Sequence, residues 1–137
     1  MITAVDSNVL LDVLGPDPTF GPPSAHALRT VLREGQLLAC EVVWAEVAGA
    51  FASAAAAESA LTLLDLEFSA LTLEAALEAG LAWKAFRKQG GQRTRVAADF
   101  LIGAHALCQA DRLLTRDRGF YRSCFKRLKI VDPTSVR

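Results

Sequence analysis

The feature that most constrains the fold is the alternation of short apolar runs with helix-length segments along the whole chain. Residues 2–5 (Ile-Thr-Ala-Val) read as a buried strand ending at Asp6, and Ser7 and Asn8 can cap a helix through Val9, Leu10 and Val13. Glycines and prolines from Gly15 to Pro23 mark a loop. Ser24 starts a helix with Ala27, Leu28, Val31 and Leu32 on one stripe, ended by Gly35. Leu37 to Ala39 is a second strand. Helices follow from about Glu41 to Phe51 and from about Ala55 to Leu66, then a short strand from Phe68 to Leu71. Thr72 caps a helix from Leu73 to about Lys88, broken by Gly90-Gly91. Ala97 to Gln109 is a further helix, and Leu113 to Thr115 and Lys129 to Val131 are the last strands. Strands of this kind, separated by helices, predict an α/β fold with a parallel sheet covered on both faces.

A chain of 137 residues suits one domain, here residues 1–137, and can bury a real core. With 52% hydrophobic and 22% charged residues it is expected to be globular. No apolar run reaches the roughly 18 residues of a membrane span. The N-terminus lacks a basic segment ahead of an apolar one, which argues against a signal peptide. Cys40, Cys108 and Cys124 show no paired zinc-ligand spacing and read as reduced thiols in a cytoplasmic protein. The net charge of zero hides a split. Residues 1–83 carry two basic groups against eleven acids, and residues 84–137 carry thirteen against four. That split fits either an acidic pocket beside a basic rim or complementary faces that pair within the fold.

The acids fall in an informative pattern. In parallel α/β sheets, ligands bind at the carboxyl ends of the strands, where Asp6 and Asp117 are expected. Glu46 shares a helical face with Val42, Val43, Val47 and Ala50, and Asp99 shares one with Val96, Ile102, Gly103 and Ala106. A carboxylate on an apolar stripe is costly to bury without a partner. A shared cation explains all four acids together, because converging carboxylates otherwise repel and take up protons. An oxygen-only ligand set favours Mg²⁺ or Mn²⁺, and such a site suits in-line phosphodiester hydrolysis. His26 and His105 read as ordinary helix residues rather than ligands.

Four segments carry a family resemblance: Val5-Asp6-Ser7-Asn8, Trp44-Ala45-Glu46-Val47, Ala97-Ala98-Asp99-Phe100-Leu101-Ile102, and Leu114-Thr115-Arg116-Asp117-Arg118-Gly119-Phe120. Their order and spacing over essentially the whole chain resemble the PIN-domain ribonucleases, and more closely the VapC-type toxins of toxin–antitoxin pairs. The resemblance implies a three-layer α/β/α domain with a central, mainly parallel sheet. It implies a catalytic Mg²⁺ or Mn²⁺ site at Asp6, Glu46, Asp99 and Asp117, supported by Asn8 and Thr115. It also implies endonucleolytic cleavage of RNA, a homodimer, and inhibition by a small antitoxin protein.

Two departures from the family pattern stand out. Cys40-Glu41 occupies the place where a small hydroxyl cap is expected before the Glu46 helix. Glu41 reads as a first-turn charge favourable to the helix dipole. The Gly15–Pro23 loop is unusually rich in proline.

Arg116 and Arg118 flank Asp117 and are candidate phosphate contacts, with Arg93 and Arg95 as a second pair; neutralisation of the carboxylates is the alternative role. The apolar helices between Trp44 and Leu66 are candidates for a dimer or antitoxin surface. Rival readings fit less well. A haloacid-dehalogenase-type phosphatase needs a second Asp where Asn8 stands, and a receiver domain needs an acidic pair and a lysine that the chain lacks. The more serious alternative is a non-catalytic RNA-binding or protein-interaction module of the same fold, whose acids are structural or vestigial; a structure-specific DNA nuclease is a further one, though such proteins are generally larger.

Overall fold

A computed structural model describes residues 1–15, 17–90 and 97–135. The elements run β1 (Ile2–Val5), α1 (Ser7–Leu14), α2 (Gly21–Glu34), β2 (Gln36–Ala39), α3 (Glu41–Ala48), α4 (Ala54–Leu63), β3 (Leu66–Phe68), α5 (Leu73–Lys88), α6 (Ala97–Gln109), β4 (Arg112–Leu114), α7 (Arg118–Cys124), β5 (Ile130–Val131) and a final 3₁₀ turn (Pro133–Ser135). The five strands form one sheet in the order β3-β2-β1-β4-β5, and every pairing is parallel. Helices cover both faces, giving the expected three-layer α/β/α arrangement.

The central strands are buried almost throughout, whereas β3 and β5 at the edges are not. This difference explains why β1, β2 and β4 read as continuous apolar runs. The strand order reverses beside β1: β2 and β3 lie to one side, β4 and β5 to the other. A crevice therefore opens between the carboxyl ends of β1 and β4, the switch point where such sheets bind ligands. Register fixes what flanks it. Val5 pairs with Leu114, and the Asp6 amide donates to the Leu114 carbonyl at 2.9 Å. The first residues beyond both strands, Asp6 and Thr115, thus meet across the crevice.

Helix α6 packs along α5 and against β1 and β4. Phe86, Phe100, Phe120 and Tyr121 form a chain of edge-to-face rings beneath the crevice. Gly103 on α6 makes room for this layer: a Cβ there would lie 2.3 Å from the Phe125 ring.

Several boundaries differ from expectation for local reasons. Helix α2 begins at Gly21 rather than Ser24, because Pro22 and Pro23 occupy its first turn, where their missing N–H groups cost nothing. Helix α3 stops at Ala48, before Gly49, and a separate helix starts after Ser53, whose hydroxyl accepts from the Ala56 amide at 3.1 Å. Helix α4 ends at Leu63 because Asp65 takes φ 56°, the left-handed turn that closes a helix, so β3 starts at Leu66. Helix α7 lies where no helix was expected.

The expected apolar surface between Trp44 and Leu66 is mostly inside: Val43, Val47, Ala57, Leu61 and Leu66 are core residues, while Leu63 is exposed. A further exposed apolar line is Leu73, Leu77 and Leu81, one helical turn apart on α5. No described helix is long and apolar enough to cross a membrane.

Candidate acidic metal centre

Asp6 is the anchor of the site. It caps α1, its Oδ1 accepting from the Ser7 amide at 2.8 Å, and its Oδ2 accepts from the Thr115 hydroxyl at 2.8 Å and from Asn8 Nδ2 at 3.3 Å. Asn8 Nδ2 also reaches Thr115 Oγ1 at 3.4 Å, while its Oδ1 accepts from the Arg116 amide at 3.3 Å. Thr115 Oγ1 in turn accepts from the Asp117 amide at 3.0 Å. One network therefore fixes three of the expected positions at the strand ends and the backbone of a fourth.

The remaining acids arrive on helices. The Ser7 hydroxyl donates to Glu46 Oε1 at 3.1 Å, joining α3 to the start of α1. Glu46 is exposed, not buried on an apolar stripe: Val43 and Val47 face the core, and the Ser7 hydrogen bond places Glu46 beside the start of α1. Asp99, half-buried in the first turn of α6, is near enough for its charge to act on both Asp6 and Glu46. Asp117 is half-buried at the start of α7. Val96, part of the stripe expected around Asp99, and Arg93 and Arg95 lie outside the described residues.

Electrostatics mark the cluster as strained without a counter-charge. Burial pushes the Asp6 carboxyl above its ordinary range, against the lowering effect of Thr115, and Asp99 pushes it further. Glu46 is also raised, first by desolvation and then by Asp6 and Asp99, with the Ser7 hydrogen bond opposing. Among the described residues, no three His, Cys, Asp or Glu side chains stand together as a preformed metal cage. The donor set nevertheless fits a hard divalent cation. It is all oxygen, and Asp6, Glu46 and Asp99 raise the cost of ionising one another, which a cation would relieve.

The arginines divide. Arg116 is committed inside the fold: Nε and Nη2 contact the Asp12 carboxylate at 2.7 and 2.9 Å, and its guanidinium lies 4.0 Å over the Phe20 ring. Its guanidinium thus neutralises buried Asp12, the alternative role foreseen for these arginines. Arg118 is half-exposed, with Nε 3.6 Å from Asp132. Arg112 pairs with Glu34 at 2.7 Å. Two of the basic groups in the second half thus serve acids of the first.

His105 is a packed residue, fully buried with Nε2 3.0 Å from Ser69 Oγ. All three cysteines are free thiols, and burial pushes Cys40 and Cys108 up, away from reactivity. Three residues with roles here were missed in the sequence. Ser7 was read only as a cap, Asp12 was not singled out, and Tyr121 lies one turn beyond Asp117 in a helix that was not expected.

A family model described as PIN domain matches residues 3–126. No curated protein matches the chain in sequence. Solved structures resemble it over nearly their whole length. VapBC2 from Rickettsia felis, bound to a promoter DNA fragment, has a TM-score of 0.76 at 18% identity, covering 96% of this chain and 98% of its own. VapBC-1 from nontypeable Haemophilus influenzae has a TM-score of 0.75 at 23% identity, covering 98% and 100%. A toxin–antitoxin complex from Klebsiella pneumoniae has a TM-score of 0.67 at 17% identity, covering 98% and 99%.

Proposed function

This chain belongs to the PIN-domain family, a family of nucleases, and on that premise we propose that it is a metal-dependent endoribonuclease, the VapC-type toxin of a toxin–antitoxin pair, acting through one domain over residues 1–137. The observation that carries the reading is the junction of Asp6 and Thr115 at the switch point of the sheet, with Glu46 and Asp99 charge-coupled to it.

In this proposal Asp6, Glu46, Asp99 and Asp117 hold Mg²⁺ or Mn²⁺. When bound, the cation supplies polarisation of a phosphoryl oxygen and activation of the attacking water. Thr115, Asn8 and the Ser7 amide orient Asp6 toward it. Exposed Glu46 forms the outer lip, where Ser7 fixes its carboxylate. Arg118 is the remaining candidate phosphate contact, being exposed next to Asp117. The partners are RNA, a small antitoxin protein and a second copy of the chain, in the cytoplasm. Similarity to antitoxin-bound structures supports the protein partner. The Leu73–Leu77–Leu81 line is the apolar surface that a second chain would cover.

The test is incubation of the purified, partner-free chain with total cellular RNA and with single-stranded DNA, in Mg²⁺, Mn²⁺ or chelator. Internal cuts in RNA that need the cation are expected. Cutting of DNA alone, or cation-independent cutting, contradicts the proposal.

A further inference from the structure

Tyr121 is the chain's one tyrosine. It is fully buried on α7, four residues after Asp117. Its ring is clamped edge-to-face against Phe120 at 5.1 Å and lies tilted against Phe125 at 6.5 Å. Those contacts need only the ring. The hydroxyl is buried and forms no well-shaped hydrogen bond among the described residues, although it lies near enough to Asp6 for a weak donation to that carboxylate. It lies beside Asp6 and favours that carboxylate's ionised form. Burial, and then the charges of Asp6, Asp99 and Asp117, push the phenol far above its ordinary range, so it remains protonated and can only be a useful donor. A phenylalanine would fill the same space without burying an unpaired polar atom, which is costly. A hydroxyl set beside Asp6 but not well bonded to it therefore has a use in a state where the carboxylate turns fully toward it.

We propose that Tyr121 is a positioning residue of the acidic site: with a divalent cation bound, its hydroxyl donates to the Asp6 carboxylate and fixes the orientation in which that carboxylate meets the ion. This rests on the metal site proposed above. In that state Thr115 holds Asp6 from the end of β4 and Tyr121 from α7, two hydroxyls on separate elements. Partners of this kind orient metal-binding side chains, and their loss typically weakens metal affinity by about 10- to 100-fold.

The test compares the native chain with Tyr121→Phe by calorimetric titration with Mn²⁺, each checked by thermal unfolding without metal. The substitution removes one oxygen and keeps the ring. Mn²⁺ binding is expected to weaken by about tenfold or more, with a metal-free midpoint unchanged or higher, since an unpaired buried hydroxyl has been removed. Equal Mn²⁺ affinity in the two folded proteins overturns the inference and leaves the metal site standing. Failure of the native chain to bind Mn²⁺ overturns the metal site, and the inference with it. A second readout needs no variant. Ultraviolet resonance Raman of the sole tyrosine is expected to shift toward the hydrogen-bond-donor signature on saturation with Mn²⁺. An unchanged spectrum in the Mn²⁺-bound native chain overturns the inference.

Discussion

The Thr115 hydroxyl donates to Asp6 Oδ2 at 2.8 Å and accepts from the Asp117 amide at 3.0 Å, so one side chain ties the ends of β1 and β4 to the start of α7. Replacing Thr115 with Val keeps the shape and removes both bonds, with the longer contact from Asn8, leaving a buried carboxylate and a backbone amide each short of a partner. Thr115→Val is expected to lose about 1–3 kcal/mol of stability in urea unfolding. A loss below about 0.5 kcal/mol, the range of neutral surface changes, would contradict that role.

Arg116 is expected to matter for stability rather than for RNA. Without it, Asp12 keeps only the Ser24 hydroxyl at 2.8 Å among its side-chain partners described here. Arg116→Ala should cost about 3 kcal/mol, toward the low end for a buried pair because the guanidinium is partly exposed. The double variant Arg116→Met, Asp12→Leu should recover much of the loss. If Arg116→Ala leaves the urea midpoint unchanged but weakens RNA binding with a smaller salt dependence, the phosphate role is the correct one.

Gly103→Ala tests the packing beneath the site. In an open helix the change would stabilise by up to about 1 kcal/mol. Here the added methyl would lie 2.3 Å from the Phe125 ring, which is itself core. A net loss of about 1–3 kcal/mol is expected from overpacking. A raised thermal midpoint would mean that the ring yields freely.

His105 gives a pH dependence of defined sign. Burial lowers its pKa below the usual 6.5, against the opposing effect of Glu41. The unfolded chain therefore binds this proton more readily than the folded one. The stability that His105 contributes is present above pH 6.5 and is lost as pH falls through the folded value. Comparing native protein with His105→Asn isolates the effect: the stability difference between them should change as pH is lowered from 7 through that window. A difference that stays constant with pH would contradict it.

Much of the fold was legible because the strongest signals are local. The bounds of α5 and α6 follow from Thr72, the apolar period and the breaks on either side. The sheet followed from apolar runs buried on both faces, and Asp6 from its place at the end of the first. The misread points depend on tertiary context. Pro22 and Pro23 mark either a loop or a helix start, and only the turn formed by Asp17, accepting from the Thr19 and Phe20 amides, decides. Helix α7 has seven residues, includes Gly119 and has no side-chain cap from Asp117, so it has no sequence signature. Glu46 looked buried because it neighbours Val43 and Val47 on the helix, yet those two face the core while Glu46 is exposed toward Ser7. The acid that Arg116 neutralises could not be read from the sequence, because Asp12 lies more than a hundred residues earlier in the chain.

The most direct measurement is cleavage of a cellular RNA pool in Mn²⁺ by the native chain and by Asp99→Asn, with both shown to be folded. Asp99 comes from α6 rather than from a strand end, and its role in the proposal is to help hold the cation. Cutting by the native chain that falls by at least two orders of magnitude in Asp99→Asn is the expected result. Equal cutting by both proteins would contradict a shared carboxylate centre, and no cutting by the folded native chain would contradict the nuclease itself.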